Sequence, residues 1–323
     1  MKAAILGEAG IAIGEVPKPA PKPNEVLIRV RATTLNRADL LVASGHQHGP
    51  VGGRGARIGL ECAGEVEAVG SEVTGIEPGD RVMGTAPGAH AEYAVTDYVR
   101  VHRIPANNMT FAQAACFPVA LQTMHNAIVT AGRLVRGETL LIQGASTGVG
   151  LMGLQVGKLM GAAVVMGTST NPERRARLKE FGCDLALDSG VPDWPQQVRQ
   201  ATGGKGVDLI VDQVSASVAN QNLDAAKILG RIVNVGRLGG MTGAFNFDLH
   251  AAKRIDYIGV TFRTRSPQEV REIVRLMRAD LWPAVEAGTL TMPIDRTFPL
   301  DDIAGGLELM RANRHFGKIV IAL

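Results

Sequence analysis

Cysteine is scarce in this chain. Cys62, Cys116 and Cys183 are the three present among 323 residues, and none forms a CxxC pair. Such spacing argues against a disulfide framework and a cysteine-built structural zinc site, and fits a reducing, cytoplasmic compartment. Charge of one sign is not concentrated either. The net charge is +3 with scattered basic residues, so the dense Lys/Arg stripe that tracks nucleic acid is missing. No apolar run reaches the roughly 18 residues of a membrane span. The apolar start MKAAILGEAGIAIGEVPKP is interrupted by Glu8 and Glu15, which reads as strands rather than a signal peptide.

What is present supports packed cores: 46% hydrophobic residues against 20% charged excludes a disordered chain. The length is about twice that of a typical domain, so two domains are expected. Up to about Arg103 the texture is β-rich, with EVLIRVRAT, AGEVEAVG, GDRVMGT and HAEYAVT separated by turns, an all-β, partly open barrel-like region. From about Thr110, continuous apolar runs (TLLIQG, AAVVMGTS, VDLIVDQV, GRIVNVGR, DYIGVTF) alternate with helix-length segments such as NPERRARLKEFG. Strands of that kind belong to a parallel sheet covered on both faces. The final stretch reads as the helix SPQEVREIVRLMRADLWPAVEAG, a hairpin-like strand, a last helix and the strand in FGKIVIAL.

One junction carries chemistry. TLLIQG-ASTGVG-LMGLQVGKLMG is a buried strand, a tight turn of small residues and a helix. A helix N-terminus in that context holds a pyrophosphate on unpaired N–H groups. Ser146, Thr147, Gly148 and Val149 supply the donors, and Gly150 lets the helix approach the strand. Ala145 and Thr147 stand where the dinucleotide fingerprint has its first two glycines. After the next strand, where NAD enzymes place an acidic residue, the chain has Met166-Gly167-Thr168-Ser169 followed by Arg174, Arg175 and Arg177. No carboxylate is expected there. Ser169 and Arg174 suit a 2′-phosphate, so NADPH is the expected cofactor; Arg175 and Arg177 read as a solvated helix face.

Several segments taken together resemble the medium-chain dehydrogenase/reductase superfamily along nearly the full length: LNRADL (Leu35 to Leu40), GLECAGEVEAVG (Gly59 to Gly70), GDRV (Gly79 to Val82) and the glycine turn. The tail, with NVGRLGG, GVTFRTRS and PIDRTFPLDDIAGGLELMRANRHFGKIVIAL, resembles the zinc-independent quinone oxidoreductases, the p53-induced branch in particular. The resemblance implies an α/β fold, a Rossmann-type doubly wound parallel sheet plus a β-rich GroES-like barrel domain. Residues 1–118 would form the GroES-like domain, 119–260 the NADPH-binding domain, and 261–323 a segment completing the first. It also implies a homodimer; separately, the exposed edge that a parallel sheet ending in DYIGVTF would leave suggests oligomerisation.

Zinc-dependent relatives carry a Cys at the start of the segment occupied here by Asn36 to Asp39, and a His where Leu60 stands. Val119 occupies the third ligand position, so no metal is expected. Without a Lewis acid, simple alcohols are poor substrates, whereas quinones and α,β-unsaturated carbonyls need only hydrogen-bond donors and a proton source. By resemblance Asn36 lies near the nicotinamide ribose and the acceptor carbonyl, and Asp39 supports its loop. Thr123, Val214, Gly236, Arg237, Leu238, Phe262 and Arg263 would border the cofactor. His46, Gln47 and His48 are candidates for the substrate mouth, in a loop where relatives often have a tyrosine. Another tyrosine, expected near the 2′-phosphate, is replaced by Asp188-Ser189. Three readings stay open: a quinone reductase, an enoyl or alkenal double-bond reductase, and a catalytically weak NADPH-binding sensor, structural protein or RNA-binding regulator.

Overall fold

The computed structural model describes residues 1–7, 10–46 and 53–323. The chain divides into two compact units, one of residues 1–119 with 262–323 and the other of residues 120–261. Of the expected mouth residues, Gln47 and His48 lie outside the described residues.

The first unit begins with an antiparallel ribbon of β1 (Lys2–Gly7) and β2 (Gly10–Glu15). It continues through β3 (Glu25–Thr34), β4 (Glu61–Val69), β5 (Arg81–Thr85), β6 (Tyr93–Asp97) and β7 (Val101–Arg103). In β3 the period of two runs through the middle, with Ile28, Val30 and Ala32 buried while Arg29 and Arg31 face out; Leu27 and Thr33 are buried on the other face near its ends. Ile28 and Val30 pack on Cys62, Val66, Val82 and Val101, as a half-solvated antiparallel sheet requires. His102 of β7 is buried too.

The second unit carries β8 (Thr139–Gln143), β9 (Val164–Thr168), β10 (Leu185–Leu187), β11 (Val207–Asp212), β12 (Ala226–Asn234) and β13 (Asp256–Gly259). Its sheet is parallel, in the order β10-β9-β8-β11-β12-β13. Strand order reverses beside β8, the switch point at which open α/β sheets take ligands. Leu140, Leu141 and Ile142 are fully buried, which explains the unbroken apolar runs. The segment NPERRARLKEFG is helical only over Pro172–Arg177, then tightens to a 3₁₀ turn over Leu178–Phe181 and stops at Gly182 with φ +89°.

The chain then returns to the first unit. Its long helix, Pro267–Glu286, starts at a capping box of Ser266 and Glu269 and lays Trp282 against the His102 ring, centroids 4.7 Å apart. β14 (Ile294–Pro299) and β15 (Lys318–Ala322) follow. They are not the hairpin-like arrangement expected from sequence: they pair in parallel, linked by the helix Ile303–Arg311. The reason is the connection, since a strand that leads through a helix back to a neighbouring strand of the same sheet arrives parallel to it; β15 pairs on its other side antiparallel with β3. Gly317 leads into β15 at φ +86°, where a Cβ would stand 2.3 Å from the Pro293 carbonyl oxygen.

Candidate active site

In the second unit β8 ends in a tight turn that leads into a helix. Thr147 caps the helix Gly148–Leu159, its Oγ1 accepting from the Gly150 N–H at 2.9 Å. The Thr147 N–H itself donates to the Gly144 carbonyl at 3.2 Å. Thr147 therefore shapes the turn, and Gly148 and Val149 open the helix, where backbone N–H groups have no intrahelical acceptor. A Cβ on Gly150 would lie 2.6 Å from Gly144 O, so the helix can approach this closely only because Gly150 has no side chain.

The end of β9 meets the same turn. Gly144 N donates to Thr168 Oγ1 at 3.0 Å, and Ser169 Oγ donates to Ser146 Oγ at 3.0 Å. Arg174 is half-buried on the following helix. Contrary to expectation, a carboxylate is close by. β10 pairs with β9 so that Leu187 faces Thr168, which sets Asp188 beside Ser169. Arg175 neutralises it, reaching Asp188 Oδ2 at 2.8 Å and the Ser169 carbonyl at 2.8 Å. Arg175 is thus part of the turn rather than a solvated face, whereas Arg177 pairs with Glu180 on the surface.

The ends of β11 and β12 complete this rim. Asp212 accepts from the N–H groups of Val214 and Ser215 at 2.8 and 2.9 Å and from Asn222 Nδ2 at 2.9 Å. Burial pushes its carboxyl above the ordinary range in spite of those bonds. Val214 is thereby held over the turn: a Cβ on Gly144 would touch Val214 at 3.5 Å and Leu238 at 3.7 Å. Gly236 lies against the Gln213 backbone, and Arg237 is exposed. Thr123, half-buried, belongs to the helix Pro118–His125.

In the first unit, three strand ends converge on Asn36, which follows β3. Its Nδ2 donates to Glu61 Oε1 at 2.9 Å and to the Thr34 carbonyl at 3.2 Å, and its Oδ1 accepts from Lys318 Nζ at 2.9 Å. Only this orientation of the amide puts donors on acceptors and an acceptor on the ammonium. Glu61 Oε1 also accepts from Lys318 at 2.6 Å and from Thr34 Oγ1 at 2.5 Å, and Oε2 accepts from Val119 N at 2.7 Å. Glu61 and Thr34 are fully buried, Lys318 is 3% exposed and Asn36 8%. Asp39 supports the turn, its Oδ2 accepting from Asn36 N at 2.7 Å.

Sequence reasoning passed over Lys318, although a lysine heading the apolar strand KIVIA is a burial anomaly of the kind that marks a paired charge. Phe262 is half-buried and Arg263 exposed, both in the first unit. His46 is exposed, its Nδ1 lying 3.1 Å from Ser44 Oγ.

Comparison with known proteins finds two family models along the chain. Residues 22–106 match the alcohol dehydrogenase GroES-like domain and residues 148–279 the zinc-binding dehydrogenase model. A mycobacterial protein solved in complex with NADPH is 26% identical, with a TM-score of 0.88 and all of both chains covered. A quinone oxidoreductase of Pseudomonas syringae pv. Tomato is 27% identical, with a TM-score of 0.87 over the whole of both chains. Among curated proteins, a mycocerosic acid synthase-like polyketide synthase of Mycobacterium tuberculosis is 29% identical over 305 residues, 93% of this chain. The highly-reducing polyketide synthase 1 of Aureobasidium melanogenum is 28% identical over 310 residues, 94% of this chain. The chain spans only 14% of the length of each synthase. With both of its units matched and whole-chain likeness to such oxidoreductases, this chain belongs to the medium-chain dehydrogenase/reductase superfamily.

Proposed function

We propose that this chain is a zinc-independent, NADPH-dependent oxidoreductase of the quinone-oxidoreductase branch, transferring hydride to an activated acceptor such as a quinone. The observation that carries the reading is the chemistry gathered around Asn36: an amide, an ammonium and a hydroxyl on one buried carboxylate. Lys318 Nζ stands 2.6 Å from Glu61 and 2.9 Å from Asn36, so a divalent cation has no access to those oxygens. Leu60 and Val119 offer no side-chain ligand, and among the described residues no group of three His, Cys, Asp or Glu is placed to hold a metal. Hydrogen-bond donors of this kind stabilise the oxygen charge that forms on a reduced quinone, but they do not acidify an alcohol as a metal does.

The turn after β8 fits the cofactor, whose chemistry when bound is hydride donation. Ser146, Gly148 and Val149 would meet the pyrophosphate. Ser169 and Arg174 would meet the 2′-phosphate, with the charge of Asp188 already offset by Arg175. Thr123, Val214, Gly236, Arg237 and Leu238 would border the rest within the second unit. Asn36, Phe262 and Arg263 take their cofactor roles from the resemblance. The NADPH-bound mycobacterial structure and the Pseudomonas quinone oxidoreductase support this reading. The polyketide synthases favour a second acceptor, an α,β-unsaturated carbonyl, which asks the same of the site.

NADPH oxidation by the purified protein, followed side by side with a small quinone and an enone, tests the proposal. Turnover is expected with at least one of them, with no oxidation of ethanol by NADP⁺ and no stoichiometric zinc on metal analysis. Efficient ethanol oxidation, or one tightly held zinc per chain, would overturn it. Arg174→Ala is expected to weaken NADPH about tenfold or more while leaving NADH within about twofold, because only NADPH carries the phosphate that a charge-assisted bond would hold. Equal losses in a fluorescence titration would assign Arg174 to the protein surface instead.

The same reading takes the protein as a homodimer. Among the described residues β13 has a strand neighbour on one side only, and Met241, Phe247 and Tyr257 are exposed in the second unit. Unpaired edges of this kind are usually covered. Sedimentation velocity reads the mass directly. No helix in the described residues is long and apolar enough to cross a membrane.

A further inference from the structure

Burying an ammonium and a carboxylate is costly, and a pair of this kind is only weak evidence for stability. Lys318 and Glu61 are nevertheless buried together, and the group they share is the Asn36 amide. An amide is nearly symmetric in shape, so packing alone does not decide which end is oxygen; charge does. Lys318 accepts no hydrogen bond and therefore admits only Oδ1, which turns Nδ2 toward Glu61 and the Thr34 carbonyl. The chain of bonds from the Lys318 N–H through the Asn36 amide to its own N–H groups is polarised in one direction, which strengthens Asn36 as a donor. Of the two Nδ2 bonds, the one to Thr34 O is the longer at 3.2 Å. The longer bond is the weaker of the two and the easier to exchange for another acceptor.

We propose that Lys318 is a positioning residue: its buried ammonium, balanced by Glu61, sets the Asn36 amide so that an N–H is presented to the oxygen on which charge develops. This rests on the hydride-transfer reading above. Lys318 itself stays behind Asn36 and acts through it. Its place is secured by the fold, because the Leu35 N–H donates to the Ile319 carbonyl at 3.0 Å and the Lys318 N–H to the Pro293 carbonyl at 2.9 Å.

The test uses full-length protein with NADPH, comparing wild type, Lys318→Met and the double variant Glu61→Gln/Lys318→Met. In Lys318→Met, kcat for the accepted quinone or enone is expected to fall at least tenfold, with the Kd for NADPH within twofold. The double variant removes the stranded carboxylate and is expected to regain thermal stability without regaining kcat. Return of wild-type kcat in the double variant would reduce the pair to a structural contact and overturn the proposal, as would full kcat in Lys318→Met.

A second readout needs no turnover. In protein labelled with ¹⁵N-asparagine, the Asn36 side-chain amide, assigned by its loss in Asn36→Asp, is expected to exchange its protons at least tenfold faster in both variants than in wild type. Unchanged protection overturns the positioning role whether or not any acceptor is reduced. A wild type that reduces no acceptor, with protection lost in the variants, instead refutes the functional reading while the orienting role of Lys318 stands.

Discussion

Gly150→Val is expected to weaken NADPH binding by about 10²-fold while leaving the protein folded. A side chain there would enter the space between helix and strand, with its Cβ 2.6 Å from Gly144 O and 2.7 Å from the Ala145 Cα. Both neighbours are backbone, so the helix start at Gly148 must move. Losing two hydrogen bonds to a charged phosphate, at about 1.5 kcal/mol each, gives a loss of that order. On the proposed reading, the Ser146, Gly148 and Val149 N–H groups would then no longer meet the pyrophosphate together. Quenching of intrinsic fluorescence by NADPH measures the affinity, and circular dichroism checks the fold. Unaltered affinity would mean that the turn after β8 is an ordinary strand-helix junction.

The second large effect is acid instability arising from His102. The ring is buried, neither nitrogen has a hydrogen-bond partner, and Trp282 lies against it. Burial, with a smaller contribution from nearby Arg278, pushes its pKa down to about 3 from an ordinary 6.5. The folded protein therefore keeps His102 neutral over a range in which the unfolded chain is protonated. Stability contributed by the neutral ring is fully present above pH 6.5 and is lost as pH falls toward 3. The loss is about 2 kcal/mol by pH 5 and roughly 4 to 5 kcal/mol at the lower limit. His102→Phe cannot titrate, so its stability relative to wild type is expected to rise as pH falls from 7 to 4 in urea unfolding. A constant difference across that range would show that His102 does not govern acid unfolding.

Much of the architecture was legible because burial writes itself into composition. Strands buried on both faces produced TLLIQG and VDLIVDQV, and half-solvated β3 produced its alternation. Elements that signal weakly were lost. β10 has only three residues, Leu185–Leu187, too few for any period. The resemblance put Asp188 near the 2′-phosphate, but without β10 its carboxylate was not set beside Ser169, and the turn was expected to be free of carboxylates. The parallel pairing of β14 and β15 follows from the helix between them; out of reach was the pairing of β15 with β3, nearly three hundred residues earlier. Asn36 could be singled out by resemblance, but its partner Lys318, 282 residues away, could not be joined to it without the sheet.

That separation also has a meaning in time. β15 lies between β14 and β3 in its sheet, so the first unit cannot close until its last strand has been made. At about 5 to 20 residues per second on the ribosome, the interval between Asn36 and Lys318 is roughly 15 to 55 seconds. The second unit is continuous in sequence and can finish within that interval. The nascent first unit waits meanwhile with Glu61 held by Thr34, Asn36 and Val119 but without the ammonium that balances its charge, and with the Ala32 to Thr34 stretch of β3 lacking its β15 partner.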